Sequence, residues 1–265
     1  MIEDQTLTPR PRRGIRRGAY LLPSLFTMGN MVSGFYAIIL GLDHHFDRAI
    51  LFIVLAAFLD SIDGRIARMT GTESEFGKEY DSLADVITFG AAPGMLAFLW
   101  GLRDFNPDAW LLSAFFMVCT ATRLARFNVQ TRVVDSRWFV GLPSPWAALT
   151  ICALLSFALE ATGDTRVIMQ AIMGGALLVV GSLMVSTFRY NSFKNLDLRK
   201  RWSYRAFVPI AALLLLFLYI PRVGILVLAL LYTLSGPATT AISRLRSRRG
   251  PRPGSSPPPL EGAPP

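Results

Sequence analysis

The stretch AILFIVLAAFLDSIDGRIARM, residues 49–69, combines a continuous apolar run with two aspartates. A helix needs about 20 apolar residues to cross the hydrocarbon core of a bilayer, which is roughly 30 Å thick. Asp60 lies well inside this run, and a carboxylate at such depth is costly unless it is paired or faces a polar cavity. The stretch therefore predicts a membrane-spanning helix that carries a functional acidic group.

Similar apolar segments lie on both sides of this stretch. The 265-residue chain is 52% hydrophobic and only 17% charged, with a mean hydropathy of +0.42. We predict an all-α integral membrane protein, a bundle of about eight transmembrane helices. The predicted spans are 18–42, 49–69, 82–102, 109–126, 143–159, 167–188, 206–220 and 223–243. They form one membrane domain, 18–243, between a basic N-terminal segment, 1–17, and a basic, Pro-rich tail, 244–265, for which we expect disorder.

The basic residues fall unevenly on the two sides of the predicted spans. With an even number of spans and the N-terminus inside, every Lys and Arg except Arg48, Arg103, Arg166 and Arg222 faces the cytoplasm. This is the positive-inside pattern, and it suits a surface that meets anionic lipid headgroups. The net charge of +9 therefore requires no nucleic-acid partner. Residues 1–17 fit either an interfacial helix or a disordered tail.

Four aspartates form the most informative group. Asp60 and Asp63 are spaced i,i+3, and Asp81 and Asp85 are spaced i,i+4, so each pair shares one helical face. The two predicted helices are antiparallel neighbours joined by a short loop, which lets the four carboxylates converge. Four carboxylates at one point repel one another, so their negative charge must be neutralised, and bound divalent cations would do this. All-oxygen ligands favour Mg²⁺ or Mn²⁺. The only histidines, His44 and His45, fall on the opposite membrane face.

The small residues of the segment have both a functional and a structural interpretation. Gly64, Ala67 and Gly77 leave room for a ligand, but small residues are also common where membrane helices pack. Arg68 offers a fork suited to phosphate oxygens. A purely structural salt-bridge network of the aspartates with Arg65 and Arg68 is the alternative to a metal site.

The segment 60–85 resembles the signature of the CDP-alcohol phosphatidyltransferase family, D-x-x-D-G-x-x-A-R-(x)8-G-x-x-x-D-x-x-x-D, at every fixed position. The resemblance implies a six-helix core with a two-metal site near the cytoplasmic surface, which holds the pyrophosphate of a CDP-linked lipid. By position, Asp60, Asp63 and Asp81 would ligate metal, and Asp85 would be both ligand and general base. The implied nucleotide contacts are Gly64, Ala67 and Gly77, and the implied phosphate contacts are Arg68 and Ser74.

Three further stretches resemble the bacterial-type phosphatidylserine synthases within this family: residues 22–30, residues 123–145 and residues 183–194. The first contains Thr27 and Asn30, which we expect to bind the CDP-lipid, and has Ser24 where the usual pattern has Asn. The resemblance implies transfer of the phosphatidyl group of CDP-diacylglycerol to L-serine, with CMP as the second product. It also implies a plasma-membrane enzyme whose active site and termini face the cytoplasm. Family members often dimerise, although the sequence shows no interface for a homodimer.

A second polar group lies at the inner end of the fourth predicted span. Arg123 and Arg126, spaced i,i+3, would bind the acceptor's carboxylate or the donor's phosphates together with Asn128, or would only anchor the helix at the inner surface. Transfer to glycerol phosphate or inositol phosphate is the alternative within the family. Outside enzymology, the intramembrane acids would also suit a cation transporter.

Overall fold

The computed structural model describes residues 21–70, 74–130, 139–190 and 221–248. Seven helices account for nearly all of these residues: α1 (Leu21–Leu42), α2 (Phe46–Thr70), α3 (Glu75–Phe105), α4 (Trp110–Gln130), α5 (Ser144–Ala158), α6 (Asp164–Val185) and α7 (Pro221–Arg248). Two short strands, β1 (Phe139–Val140) and β2 (Arg189–Tyr190), pair antiparallel. The predicted all-α architecture is confirmed.

Within the described ranges, five helices are long and apolar enough to cross a membrane: Leu25–Leu42, Glu75–Phe105, Pro107–Val129, Asp164–Val185 and Arg222–Thr240. Helix α2 is long but carries charged residues towards both ends, and α5 is apolar but has only 15 residues. The predicted span 206–220 and the segment 1–17 lie outside the described residues. Helix α7 continues past the predicted boundary at 243 to Arg248, because arginines are good helix formers and suit a helix C-terminus.

Helices α1 and α2 are joined by a tight turn that closes the end of α1. His45 N–H donates to the Leu40 carbonyl at 2.8 Å, and His44 N–H donates to the Gly41 carbonyl at 3.1 Å. This is the Schellman pattern, and it requires a left-handed residue at His44, whose φ is 58°. The turn makes α1 and α2 an antiparallel pair.

Helix α1 packs against both α2 and α3 and so lies between the two helices that carry the aspartates. A Cβ atom on Gly34 would stand 2.3 Å from Thr88 Oγ1 and 2.6 Å from Thr88 Cα, so the two backbones touch at this point. The Thr88 hydroxyl donates to the Asn30 carbonyl at 3.1 Å. Close approach through a small residue is typical of membrane helices, where packing replaces the hydrophobic drive for association.

Helix α3 is not a uniform α-helix. An α-helical part, Glu75–Asp85, is followed by a π-helical segment, Val86–Ala91, and a second π segment spans Phe98–Leu102. A π segment changes the direction in which side chains leave the helix, and such segments are frequent at functional sites. The first one begins directly after Asp85.

Helix α7 is fixed to the bundle by β2 and α5. The Tyr190 hydroxyl donates to the Thr233 carbonyl at 3.0 Å, and the Thr150 and Thr233 hydroxyls lie 3.0 Å apart. A Cβ atom on Gly236 would stand 2.3 Å from the Tyr190 ring, which therefore lies directly on the α7 backbone. Burial, and secondarily the Tyr232 phenol, raises the pKa of Tyr190 to about 12, so this hydroxyl stays protonated and remains a donor near neutral pH.

Candidate functional site

Three carboxylates from two helices meet inside one end of the bundle. Each of Asp60 on α2 and Asp81 and Asp85 on α3 offers an oxygen, and these oxygens lie within 4.8 Å of one another. Asp81 and Asp85 reach the same point because they are one helical turn apart. Such an all-oxygen group could hold a metal ion of the hard type.

Asp63 is buried one turn beyond Asp60 but lies outside this group of three. Its carboxylate accepts a hydrogen bond from the Thr27 hydroxyl of α1. Asp63 nevertheless repels the charges of both Asp60 and Asp81, so it adds to the negative potential of the site. The structure thus brings three of the four predicted aspartates to one point and ties the fourth to α1.

Two buried oxygens of the site are suited to ligate a cation. Asn30 Nδ2 donates to Asp85 Oδ1 at 3.2 Å, which fixes the carboxyl group of Asp85. Asn30 Oδ1 and Asp81 Oδ1 are buried and have no hydrogen-bond partner among the described residues. An unpaired buried oxygen is costly, and a bound cation would satisfy oxygens of this kind. The residues present therefore fit a divalent metal ion.

Arg123 is buried beside the aspartates rather than exposed at the membrane surface. Its Nη1 donates to the Ser144 hydroxyl at 2.8 Å, and its guanidinium lies 5.6 Å from the centre of the Phe127 ring. It attracts Asp85 and Asp60 electrostatically. One arginine thus offsets part of the negative charge that the aspartates bring into the bundle.

The other two residues of the predicted polar group, Arg126 and Asn128, bind α6 and α3. Arg126 donates to the carbonyls of Val185 and Ser186, at 2.8 and 3.0 Å, and so caps the C-terminal end of α6. Asn128 donates to Glu79 Oε2 at 3.2 Å and to the Ser82 hydroxyl at 2.9 Å, which ties α4 to the first turns of α3.

The residues predicted to contact the CDP-lipid from the signature segment lie on α2 and at the start of α3, the two helices that carry the aspartates. The Ser74 hydroxyl accepts from Gly77 N–H at 2.9 Å and thereby caps α3. Gly64 lies half-buried on α2, one turn after Asp60. Ala67 and Arg68 belong to α2, but their side chains lie outside the described part of the structure.

The salt-bridge alternative has no support among the described side chains. Arg65 is exposed, and no ion pair joins it to any of the four aspartates. Asp63 and Asp85 instead accept hydrogen bonds from the neutral donors Thr27 and Asn30.

Sequence reasoning missed two residues near Arg123. Ser144 accepts its hydrogen bond, and Tyr232 of α7 stacks on Trp146, two residues after Ser144. Ser144 stands between Pro143 and Pro145, which start α5, so this short Pro-Ser-Pro sequence was a usable signal. Tyr232 lies in an apolar span, where nothing local distinguishes it from an interfacial aromatic residue.

The helices and the buried acidic cluster define a multi-pass membrane protein with an anionic, metal-competent site, a class that includes both lipid phosphotransferases and ion carriers. The sequence profile of the CDP-alcohol phosphatidyltransferase family matches residues 20–181 of this chain. The chain belongs to this family, and it is therefore a transferase of phospholipid synthesis rather than a cation transporter.

Several proteins of described function are similar to this chain. A protein of Helicobacter pylori described as a CDP-diacylglycerol–serine O-phosphatidyltransferase is 35% identical over 220 residues, which cover 82% of this chain and 90% of the relative. A Bacillus subtilis protein with this description is 32% identical over 182 residues, 69% of this chain and 98% of the relative. An archaetidylserine synthase of Methanothermobacter thermautotrophicus is 39% identical over 171 residues, 64% of this chain and 69% of the relative.

Proposed function

We propose that this enzyme transfers the phosphatidyl group of CDP-diacylglycerol to the hydroxyl of L-serine, giving phosphatidylserine and CMP. The convergence of Asp60, Asp81 and Asp85 beside one buried arginine carries the proposal, because it provides a place for a pyrophosphate–metal complex next to a cation. The names of the relatives from Helicobacter pylori and Bacillus subtilis support serine as the acceptor.

The reaction exchanges one phosphorus–oxygen bond for another. The serine hydroxyl oxygen attacks the lipid-side phosphorus, the bond from that phosphorus to the bridging oxygen breaks, and CMP leaves with the electron pair. Asp85 accepts the hydroxyl proton as the new bond forms, and Asn30 holds its carboxyl group in position. Much of the remaining rate enhancement comes from holding the two reactants in line.

Asp60, Asp81 and Asp85 would hold the metal, with Asp63 available for a second ion, and Mg²⁺ or Mn²⁺ suits these ligands best. Bound there, the ions would neutralise charge on the pyrophosphate and on the leaving CMP. Thr27 keeps the Asp63 carboxylate oriented, as partners of metal ligands commonly do.

The CDP-lipid would lie along the inner end of α2 and the start of α3. Gly64, Ala67 and Gly77 would leave space for the nucleotide, and Arg68 and Ser74 would contact phosphate. The Ser74 hydroxyl accepts from Gly77 N–H, which leaves its own hydrogen free to donate to an anion. Thr27 and Asn30 would act from α1, through the two aspartates that they hold.

Serine fits the described basic residues better than a phosphorylated alcohol does. A phosphorylated acceptor carries about two negative charges and would need a cluster of cations in the pocket. Of the two arginines on α4, only Arg123 faces the aspartates, because Arg126 caps α6. One arginine matches the single carboxylate of serine.

The enzyme would lie in the inner, or plasma, membrane with both termini and the site facing the cytoplasm. This orientation follows the distribution of Lys and Arg along the sequence. It would let the donor keep its acyl chains in the lipid while serine enters from the cytoplasm, at a surface surrounded by anionic headgroups.

Purified enzyme assayed for CMP release with CDP-diacylglycerol and a panel of acceptors tests the proposal. We expect release that depends on serine, is supported by Mg²⁺ or Mn²⁺ and stops with a chelator. Asp81→Asn should lower the rate by about a hundredfold or more, since it removes a charged ligand from the group of three. Asp108→Asn, an exposed acid between α3 and α4, is the matched control and should retain the wild-type rate. A clear preference for glycerol phosphate or inositol phosphate would overturn the choice of serine.

A further inference from the structure

We propose that Tyr232 of α7, together with Arg123 and Ser144, binds the carboxylate of the acceptor and so selects serine over alcohols that lack this group. The inference rests on the proposed function and adds to it a specificity-determining residue from a helix outside the region 20–181 that the family profile matches.

Arg123 has donors to spare. A guanidinium carries five N–H groups, and among the described residues only the Ser144 hydroxyl accepts one of them. Arg123 is 8% exposed, so its other donors do not meet bulk water freely. Because a planar fork of donors matches a carboxylate, a buried arginine of this kind is suited to bind one.

Tyr232 places a phenol near the part of α5 that binds this arginine. Its ring stacks on Trp146, with the ring centres 4.5 Å apart and the planes at 29°. Trp146 lies two residues after Ser144, which accepts from Arg123, so Tyr232 packs on the turn of α5 that holds the arginine. A phenol can donate to a carboxylate oxygen, which an arginine also attracts. The pair therefore offers two kinds of donor to one anionic group.

The position of Tyr232 is fixed by its neighbours rather than by lipid packing. The next residue, Thr233, binds Thr150 through its hydroxyl and Tyr190 through its carbonyl. One turn further on, Gly236 receives the Tyr190 ring. These contacts set the rotation and the height of α7, so Tyr232 stays against Trp146 near the start of α5.

Tyr232 also differs from the other site residues in its position along the sequence. The aspartates and the residues predicted to contact the CDP-lipid all lie within 20–181, the part that is matched by the profile of a family acting on several alcohols. Tyr232 lies beyond it. Arg123 and Ser144 lie within this matched region, so Tyr232 would add an acceptor contact from outside it.

The test compares Tyr232→Phe with Tyr190→Phe, two variants that each remove one phenolic hydroxyl from the same region. Initial rates are measured with L-serine and with ethanolamine, which is serine without its carboxylate, at varied acceptor and varied CDP-diacylglycerol concentrations. For Tyr232→Phe we expect the KM for serine to rise about tenfold or more, which is the usual effect of losing a hydrogen bond to a charged group. The KM for CDP-diacylglycerol and the rate with ethanolamine should stay within about twofold of wild type.

Tyr190→Phe should leave the KM for serine close to wild type while lowering the melting temperature, because Tyr190 binds the α7 backbone. Equal increases in the serine KM for both variants would overturn the inference, since Tyr232 would then act only through the docking of α7. A rise in the KM for CDP-diacylglycerol would also overturn it, because Tyr232 would then serve the donor. If wild-type enzyme releases no CMP with serine, the proposed function fails by itself, whatever the variants do.

Discussion

Two α1 side chains hold one aspartate on each of the neighbouring helices. Thr27 donates to Asp63 of α2, and Asn30 donates to Asp85 of α3. Thr27 and Asn30 are spaced i,i+3, so one face of α1 reaches both aspartates. Helix α1 supplies no acidic residue to the site, yet it sets the orientation of two of the four carboxylates.

Replacing Thr27 by Val removes the donor to Asp63 and keeps the shape of the side chain. We expect the apparent affinity for Mn²⁺ to fall about tenfold to a hundredfold, as is usual when the partner of a metal ligand is lost. The measurement is CMP release as a function of Mn²⁺ concentration at saturating substrates. Thr27→Ser keeps the hydroxyl and should stay near wild type. An unchanged Mn²⁺ dependence in Thr27→Val would show that Asp63 takes no part in metal binding.

The aspartates could be predicted from the sequence, but their partners could not. The i,i+3 and i,i+4 spacings and the depth of Asp60 depend only on local helical geometry. The Thr27–Asp63 bond depends on how far α1 is rotated about its own axis, which no local pattern encodes. Arg126 illustrates the same limit, because the spacing that pairs it with Arg123 says nothing of the α6 carbonyls that it meets.

At the scale of elements, α3 decides the geometry of the site. Hydropathy placed the start of its span at 82, whereas the helix begins at Glu75, after the Ser74 cap. Its first turns are polar and therefore invisible to a search for apolar runs, although they carry Asp81. The π segment that follows Asp85, which packs against α1 and α4, could not be predicted either, because apolar periodicity does not distinguish a π turn from an α turn.

A substitution at Gly34 of α1 tests the close contact between α1 and α3. In Gly34→Ala, the new methyl group would overlap Thr88 Cα, so α1 must move away from α3 and carry Asn30 away from Asp85. We expect a loss of about 1–3 kcal/mol in the free energy of unfolding, which is usual for overpacking, together with a lower kcat. Thermal unfolding in detergent and initial rates measure the two effects.

Gly175→Ala is the matched control for this change. Gly175 lies in α6, and nothing stands within 4 Å of its would-be Cβ atom. Alanine should be neutral there or stabilise the helix by about 0.5–1 kcal/mol, because it restricts the unfolded chain. If both variants lose stability equally, the α1–α3 contact is not the cause.

On the scale of the whole molecule, the two ends of the bundle differ in chemistry. One end holds the aspartate cluster and Arg123. At the other end, Arg222 pairs with Glu160 and with Asp47, and Arg166 pairs with Asp104 at 3.6 Å. Arg166 and Arg222 at this end thus lie in exposed ion pairs between helix ends, whereas the site end has a buried arginine, Arg123, beside the aspartates.

The difference between the two ends, together with the proposed orientation, predicts which positions react with a reagent added outside the cell. Both native cysteines, Cys119 and Cys152, are buried and can be replaced by alanine. In that background, Asp108→Cys, at the end opposite to the site, should react with a membrane-impermeant maleimide in sealed spheroplasts. Lys78→Cys, an exposed position at the site end, should react only after lysis, because positive residues near membrane spans are retained in the cytoplasm. Labelling of Lys78→Cys in sealed spheroplasts with protection of Asp108→Cys would reverse the proposed orientation and place serine binding on the outer side.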